Sequence, residues 1–137
     1  MLIQPYLFFN GNCQQAFDFY RDALGAEYET LMRYRDSPEP PPPECAPPGW
    51  EDKVMHASLR IGSLRLMGSD DGSGQTARPQ GFSLSLSVPD ADAADRVFAA
   101  LADGGSVIMP LGETFWSPRF GMLTDRFGVG WMIGVEA

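Results

Sequence analysis

PYLFFNGNCQQAFDFYRDALGAE, residues 5–27, contains a whole strand–turn–helix unit. Ile3 to Phe9 is short, apolar and aromatic, the composition of a strand. Asn10-Gly11-Asn12 punctuates it. Cys13, Phe17, Tyr20 and Leu24 then recur at helical spacing, with Asn12 at the N-cap and Gly25 at the stop, which predicts a helix of about three turns. Working outward, three strand-like runs follow, Tyr28–Tyr34, Val54–Ile61 and Leu64–Met67, the last two joined by the hairpin signal Gly62-Ser63.

FSLSLSVPDADAADRVFAALADGG, residues 82–105, restates the plan. Phe82–Val88 reads as a strand, Pro89-Asp90 opens a helix in which Ala94, Val97 and Leu101 share a face, and Gly104-Gly105 stops it. Runs at Val107–Met109, Met122–Thr124 and Gly130–Val135 complete the second half. A shift of 77 residues places Leu7 on Leu84, Phe9 on Leu86, Phe17 on Ala94, Tyr20 on Val97 and Leu24 on Leu101. Near the ends, residues 66–70 (LMGSD) resemble 132–136 (MIGVE). Order, spacing and hydrophobic parity agree, so the economical reading is a tandem duplication. It gives an α+β chain of two βαβββ modules, about 1–70 and 81–137 with a linker at about 71–80, forming one domain over 1–137.

Strand parity assigns faces. Leu84 and Leu86 point one way and Ser83, Ser85 and Ser87 the other, because side chains alternate along a strand. The leucine face carries the helix, and the serine face looks at solvent or into a cavity. The matching positions in the first strand are Tyr6, Phe8 and Asn10. Aromatics beside serines favour a partly enclosed pocket, since such sites mix apolar walls with a few polar groups.

Composition narrows the function classes. The 137 residues suit one domain, and 44% hydrophobic residues suffice for a packed interior. A net charge of −8 without a Lys/Arg cluster disfavours nucleic acid and anionic membranes. No apolar run reaches the roughly 18–20 residues of a membrane span, and the N-terminus lacks the basic flank of a secretory signal. A cytoplasmic protein is the expectation. The two cysteines, Cys13 and Cys45, show no C-x-x-C spacing. Cys13 falls on the apolar helix face, where a buried free thiol is the simpler reading than a disulfide to Cys45. Residues 37–49 (SPEPPPPECAPPG) are too proline-dense to join a sheet, and read as a solvated connection or a lid.

Three segments carry a resemblance. The opening PYLFFNGNCQQAFDFYRDALGAE, the middle HASLRIGSLRLMGSD (56–70) and the ending ETFWSPRFGMLTDRFGVGWMIGV (113–135) resemble the PhnB-like branch of the vicinal oxygen chelate superfamily, which includes glyoxalase and bleomycin-resistance proteins. The resemblance covers the chain apart from the proline segment. It implies mixed sheets curving around a cleft, a homodimer, and in metal-dependent members a divalent ion held by His, Gln and Glu from the strands. Some members of the branch carry a demethylubiquinone methyltransferase label. This sequence has no Gly-rich strand-to-helix loop of the G-x-G type to hold a methyl-donor nucleotide.

Carried over residue by residue, the expected ligand set is thin. Gln4 stands near the first ligand position, and its counterpart in the second module is Ser83, a poor metal ligand. The last-strand positions are Gly68 and Gly134, with Asp70 and Glu136 two residues further on. His56, the single histidine, shares a face with Ser58 and serves either as ligand or base, or as a hydrogen-bonded strand histidine. Glu113 and Asp125 read as turn residues, Arg119 as surface charge or an anion anchor, and Trp116 and Trp131 as packing or stacking groups.

Two functions follow. One is a small-molecule binding protein holding its ligand in the cleft between the modules that the resemblance implies, with Tyr6, His56, Ser83, Ser85 and Trp116 as ligand-binding residues. The other is a lyase or dioxygenase that needs a divalent metal, with Gln4, His56 and Glu136 as the metal set and Asp70 as a further candidate. A small molecule and a second copy of the chain are the expected partners.

Overall fold

The structure is a computed structural model that describes residues 1–39, 46–74 and 79–136. Cys45, and most of the proline segment read as connection or lid, lie outside the described residues. Two compact units are present, Met1–Ala77 and Arg78–Ala137. Each runs strand, helix and three strands, as the duplication requires.

In the first unit, β1 (Tyr6–Phe9) leads to α1 (Cys13–Leu24), followed by β2 (Glu27–Arg33), β3 (Val54–Ile61) and β4 (Leu64–Asp70). The sheet order is β1-β4-β3-β2, with β1 parallel to β4 and the other pairs antiparallel. Strand β1 starts at Tyr6 rather than Ile3. Pro5 has no N–H to offer, and Ile3 is exposed. Strand β4 runs to Asp70, three residues past the expected end, because Gly68, Ser69 and Asp70 pair with Leu7, Phe8 and Phe9. After β2 the chain makes a single 3₁₀ turn, Tyr34–Asp36. Gly25 ends α1 in the left-handed conformation, φ 66°, as its C-cap position requires. Leu7 and Phe9 face the helix and meet Cys13, Ala16, Phe17 and Tyr20, with Ala57, Leu59 and Leu66 from the neighbouring strands, all buried. Each large apolar side chain so buried contributes about 1.5–3 kcal/mol.

The second unit comprises β5 (Leu84–Val88), α2 (Ala91–Ala102), β6 (Ser106–Gly112), β7 (Phe120–Thr124) and β8 (Gly130–Val135), in the order β5-β8-β7-β6. Asp90 caps α2 by accepting from the Ala93 N–H at 2.8 Å. Ala94, Val97, Phe98 and Leu101 pack against Leu123, Trp131 and Ile133. Strand β6 is longer than expected and passes through Pro110, which an edge strand tolerates because its outer N–H groups need no partner.

The pairing register also revises the internal repeat. Phe9 lies opposite Asp70, and Leu86 lies opposite Ile133. The 77-residue shift equates Phe9 with Leu86, so Asp70 corresponds to Ile133 and not to Glu136. Matching LMGSD to MIGVE slips the last strand by three residues, and an odd slip exchanges its two faces.

Candidate functional site

Each sheet carries its helix on one face and leaves the other free of helix. In the first unit alternation sends Tyr6 and Phe8 to the helix-free face, and both are exposed. Pairing brings Met67 beside Tyr6, Ser58 beside Met67 and Thr30 beside Ser58, a row across all four strands. His56 lies one alternation along β3 from Ser58. Its Nδ1 shares a hydrogen bond of 3.1 Å with the Tyr6 hydroxyl, and the two rings stack with centroids 5.7 Å apart. Phe8 stands 5.1 Å from Tyr6. The expected pair Tyr6 and His56 is therefore brought together, with Phe8 as a third ring that sequence reasoning placed on the face without a role.

At the far side of this face Arg65 donates through Nε and Nη2 to the two carboxylate oxygens of Glu29, at 2.8 and 3.2 Å. Glu29 sits at a register shift in β2, and Arg65 belongs to β4, so the pair bridges over β3. Arg65 holds the Glu29 carboxyl below its ordinary range. Arg60 pairs with Glu27 at 2.8 Å.

Asp70 turns the other way. Its carboxylate accepts from the N–H groups of Gly11 at 3.0 Å, Cys13 at 2.9 Å and Val54 at 2.9 Å, and it is buried beneath the start of α1. Asn12 occupies the N-cap position, but its side chain makes no capping bond; the carboxylate of Asp70 supplies that role from β4. Burial, with Asp70 adding its charge, pushes the Cys13 thiol far above its ordinary pKa, and the thiol is free. Asp70 is thus unavailable to a site on the face that holds His56.

In the second unit Ser85 and Ser87 are exposed on the helix-free face, opposite Met132 and Gly134 of β8, and Met122 and Phe120 of β7 continue the two rows. Ser83 is exposed just before β5 and lines a recess of about 400 Å³ with Phe82, Ser106, Ile108, Met122 and Thr124. Trp116 is half exposed and meets Phe115 and Phe120 edge-on, with centroids 4.7 and 5.4 Å away. Asp125 has the turn role expected of it: it accepts from the N–H groups of Phe127 and Val129 and from Trp131 Nε1. Arg119 pairs with Asp95 of α2, which removes it as an unengaged anion anchor.

A metal site of the family's kind does not fit these residues. Gln4 is half-buried ahead of β1, and Glu136 is exposed beyond β8. At the last-strand positions a side chain is obstructed, severely at Gly68 and mildly at Gly134. A Cβ on Gly68 would meet Phe17 Cζ at 2.8 Å and the Leu7 carbonyl oxygen at 2.9 Å, and one on Gly134 would meet Phe120 Cδ2 at 3.3 Å. Among the described residues no three His, Cys, Asp or Glu side chains stand close enough together to hold an ion.

The comparisons agree with the architecture. The family model of the glyoxalase/bleomycin resistance protein/dioxygenase superfamily matches residues 2–133. Protein YjdN of Escherichia coli is 36% identical over 140 residues, covering 98% of this chain and 95% of that protein. The crystal structure of protein PA1353 from Pseudomonas aeruginosa is 49% identical, with a TM-score of 0.88 over 99% of this chain and 98% of that one. A Bacillus cereus structure described as a putative 3-demethylubiquinone-9 3-methyltransferase, PhnB protein, is 28% identical, with a TM-score of 0.76 over 98% and 99%. With its two βαβββ units, these relatives and a PhnB protein among its structural neighbours, the chain belongs to the glyoxalase/bleomycin resistance protein/dioxygenase superfamily.

Proposed function

We propose that the chain is a small-molecule binding protein whose ligand lies against the helix-free face of the first sheet. One observation carries this: Tyr6, Phe8 and His56 form a cluster of three neighbouring rings on a sheet face where Arg60 and Arg65 already have carboxylate partners. Exposed aromatic surface in such a cluster is unfavourable in water and rewards a flat apolar partner. Met67 and Met32 flank the rings, and thioether side chains adapt to irregular ligands. A methyl-transfer reading has no support in the chain, because both strand-to-helix turns, Asn10-Gly11-Asn12 and Pro89-Asp90, lack a nucleotide-binding glycine pattern.

A second copy of this chain is the partner that belongs to the reading. Strand β6 suits it, with Val107, Ile108 and Met109 exposed by 49, 62 and 40% on an edge without a charged residue. Light scattering of wild type and Ile108→Lys tests this, with a lower mass expected for the variant.

The functional test uses the purified full chain. Metal content is measured together with thermal stabilisation by a panel of aromatic compounds, in wild type, Phe8→Ala and His56→Ala. Expected are sub-stoichiometric metal in every form, and stabilisation by some ring compounds that Phe8→Ala abolishes. A stoichiometric divalent ion lost in His56→Ala would put the metal-dependent lyase or dioxygenase reading first.

A further inference from the structure

The connection between β2 and β3 forms a recess of its own. It holds about 420 Å³, and its mostly apolar walls include Tyr34, Pro47, Pro48 and Trp50, with Arg35 and Glu51 as the charged members. Both rings are anchored. The Tyr34 hydroxyl donates to the carbonyl oxygen of Asp70 at the end of β4. The tip of the Trp50 ring reaches the start of α1, where a Cβ on Gly11 would stand 3.7 Å from Trp50 Cη2. The connection itself is pinned by three backbone bonds of 3.0 Å, from the Tyr34 N–H to the Lys53 carbonyl, the Arg35 N–H to the Glu51 carbonyl, and the Lys53 N–H to the Trp50 carbonyl. Walls fixed in this way need little ordering when a ligand enters.

The charges around the recess leave one carboxylate over. Arg35 Nη1 stands 2.8 Å from an Asp52 carboxylate oxygen, so that pair is neutral. Lys53 and Asp70 bond opposite ends of Gly11, Nζ to its carbonyl oxygen at 2.9 Å and the carboxylate from its N–H at 3.0 Å, and these two charges offset each other. The Glu51 carboxylate has no hydrogen bond or ion pair among the described residues. Aromatic ring faces attract cations, and the net charge of −8 favours their approach. Apolar walls offer few acceptors to an ammonium that carries N–H groups, whereas a quaternary ammonium needs none. We infer that this recess binds a small quaternary ammonium compound, its methyl groups against Trp50 and Tyr34 and its charge balanced by Glu51. The site is separate from the aromatic face of the first sheet and does not depend on it.

The test uses choline and 3,3-dimethylbutan-1-ol, its uncharged counterpart with carbon in place of nitrogen. Each is titrated into the full chain while NMR follows the indole N–H resonances of Trp50, Trp116 and Trp131. Choline is expected to shift the Trp50 resonance alone, and the alcohol to bind about tenfold more weakly, the size of a cation–π contact. Trp50→Ala, followed by calorimetry, should lose choline binding. Glu51 is exposed, so Glu51→Gln keeps the fold even if Trp50→Ala loosens the connection. That variant should weaken choline about 2–5-fold, as for an exposed ion pair, and leave the alcohol unchanged. Equal affinity of wild type for the two compounds would make the recess merely apolar and overturn the inference. Choline binding to Glu51→Gln as tightly as to wild type would overturn it too. A Trp50 resonance that choline leaves unmoved would also sink it, while the aromatic face of the first sheet would stand.

Discussion

Each unit buries one aspartate with its carboxylate fully engaged, and the two aspartates hold together different things. Asp70 accepts from Gly11, Cys13 and Val54, segments 59, 57 and 16 residues away. It ties the end of β4 to the start of α1 and of β3. Asp125 accepts from Phe127, Val129 and Trp131, all within six residues, and shapes only the turn between β7 and β8. A local carboxylate organises a loop, whereas a long-range one closes a fold. Asp70→Ala should therefore cost about 3–5 kcal/mol, leaving three N–H donors without their acceptor. Asp125→Ala should cost about 2–4 kcal/mol, since the half-buried Phe127 N–H can turn to water. Urea unfolding of both variants measures the gap, and equal costs would break the comparison.

The two last strands sharpen it. Gly68 and Gly134 look alike in sequence but meet different obstacles. At Gly68 a new Cβ strikes a backbone oxygen and a packed ring, whereas at Gly134 it presses only on the edge of Phe120. Gly68→Ala is expected to destabilise by about 2–3 kcal/mol and Gly134→Ala by less than about 1 kcal/mol. Gly134→Glu, which would restore an acidic last-strand position, should displace Phe120 and with it Trp116, seen as a change in tryptophan fluorescence. A well-folded Gly134→Glu variant with unmoved tryptophan emission would show that the second unit can carry a metal ligand after all.

The helix-free faces differ in the same spirit. The first is aromatic, with Tyr6, Phe8 and His56; the second is floored by Ser85, Ser87 and Gly134. Phe8 is 55% exposed, so Phe8→Ala should change stability by under about 0.5 kcal/mol while removing binding of ring compounds. Ser85→Ala should leave that binding within twofold. A larger loss from Ser85→Ala than from Phe8→Ala would move the ligand to the second sheet.

What the sequence disclosed follows the range of each interaction. Alternation in SLSLSV (83–88) and helical spacing in Cys13, Phe17 and Tyr20 are local signals, so the faces, both helices and the turn at Asp125 were legible. The pairing of Tyr6 with His56 needs the register of β1, β4 and β3, which no single stretch contains. The same holds for Asp70, whose bonds come from three segments, and it reads as a candidate ligand until the register turns it toward α1. The slip that matched it to Glu136 has this origin: LMGSD and MIGVE are similar in composition, and composition does not fix register. The Arg65–Glu29 pair is equally non-local, because Arg65 reaches across β3 to a strand that β4 does not pair with.

The smallest expected effect concerns that bridge. Arg65 keeps the Glu29 carboxyl below its ordinary range by hydrogen bonding and charge, against a weaker opposing effect of desolvation. A depressed folded value means that the pair stabilises the fold above the ordinary carboxyl range near about 4.3, and that this contribution is lost as pH falls through the folded value. Both side chains are substantially exposed, at 45 and 30%, so solvent and salt screen the pair and global stability should barely respond. The carboxyl chemical shift of Glu29 is the sensitive observable. In wild type its midpoint should lie below the ordinary glutamate value, and Arg65→Met should raise it toward that value. An unmoved midpoint in Arg65→Met would mean that the bridge over β3 does not persist in solution.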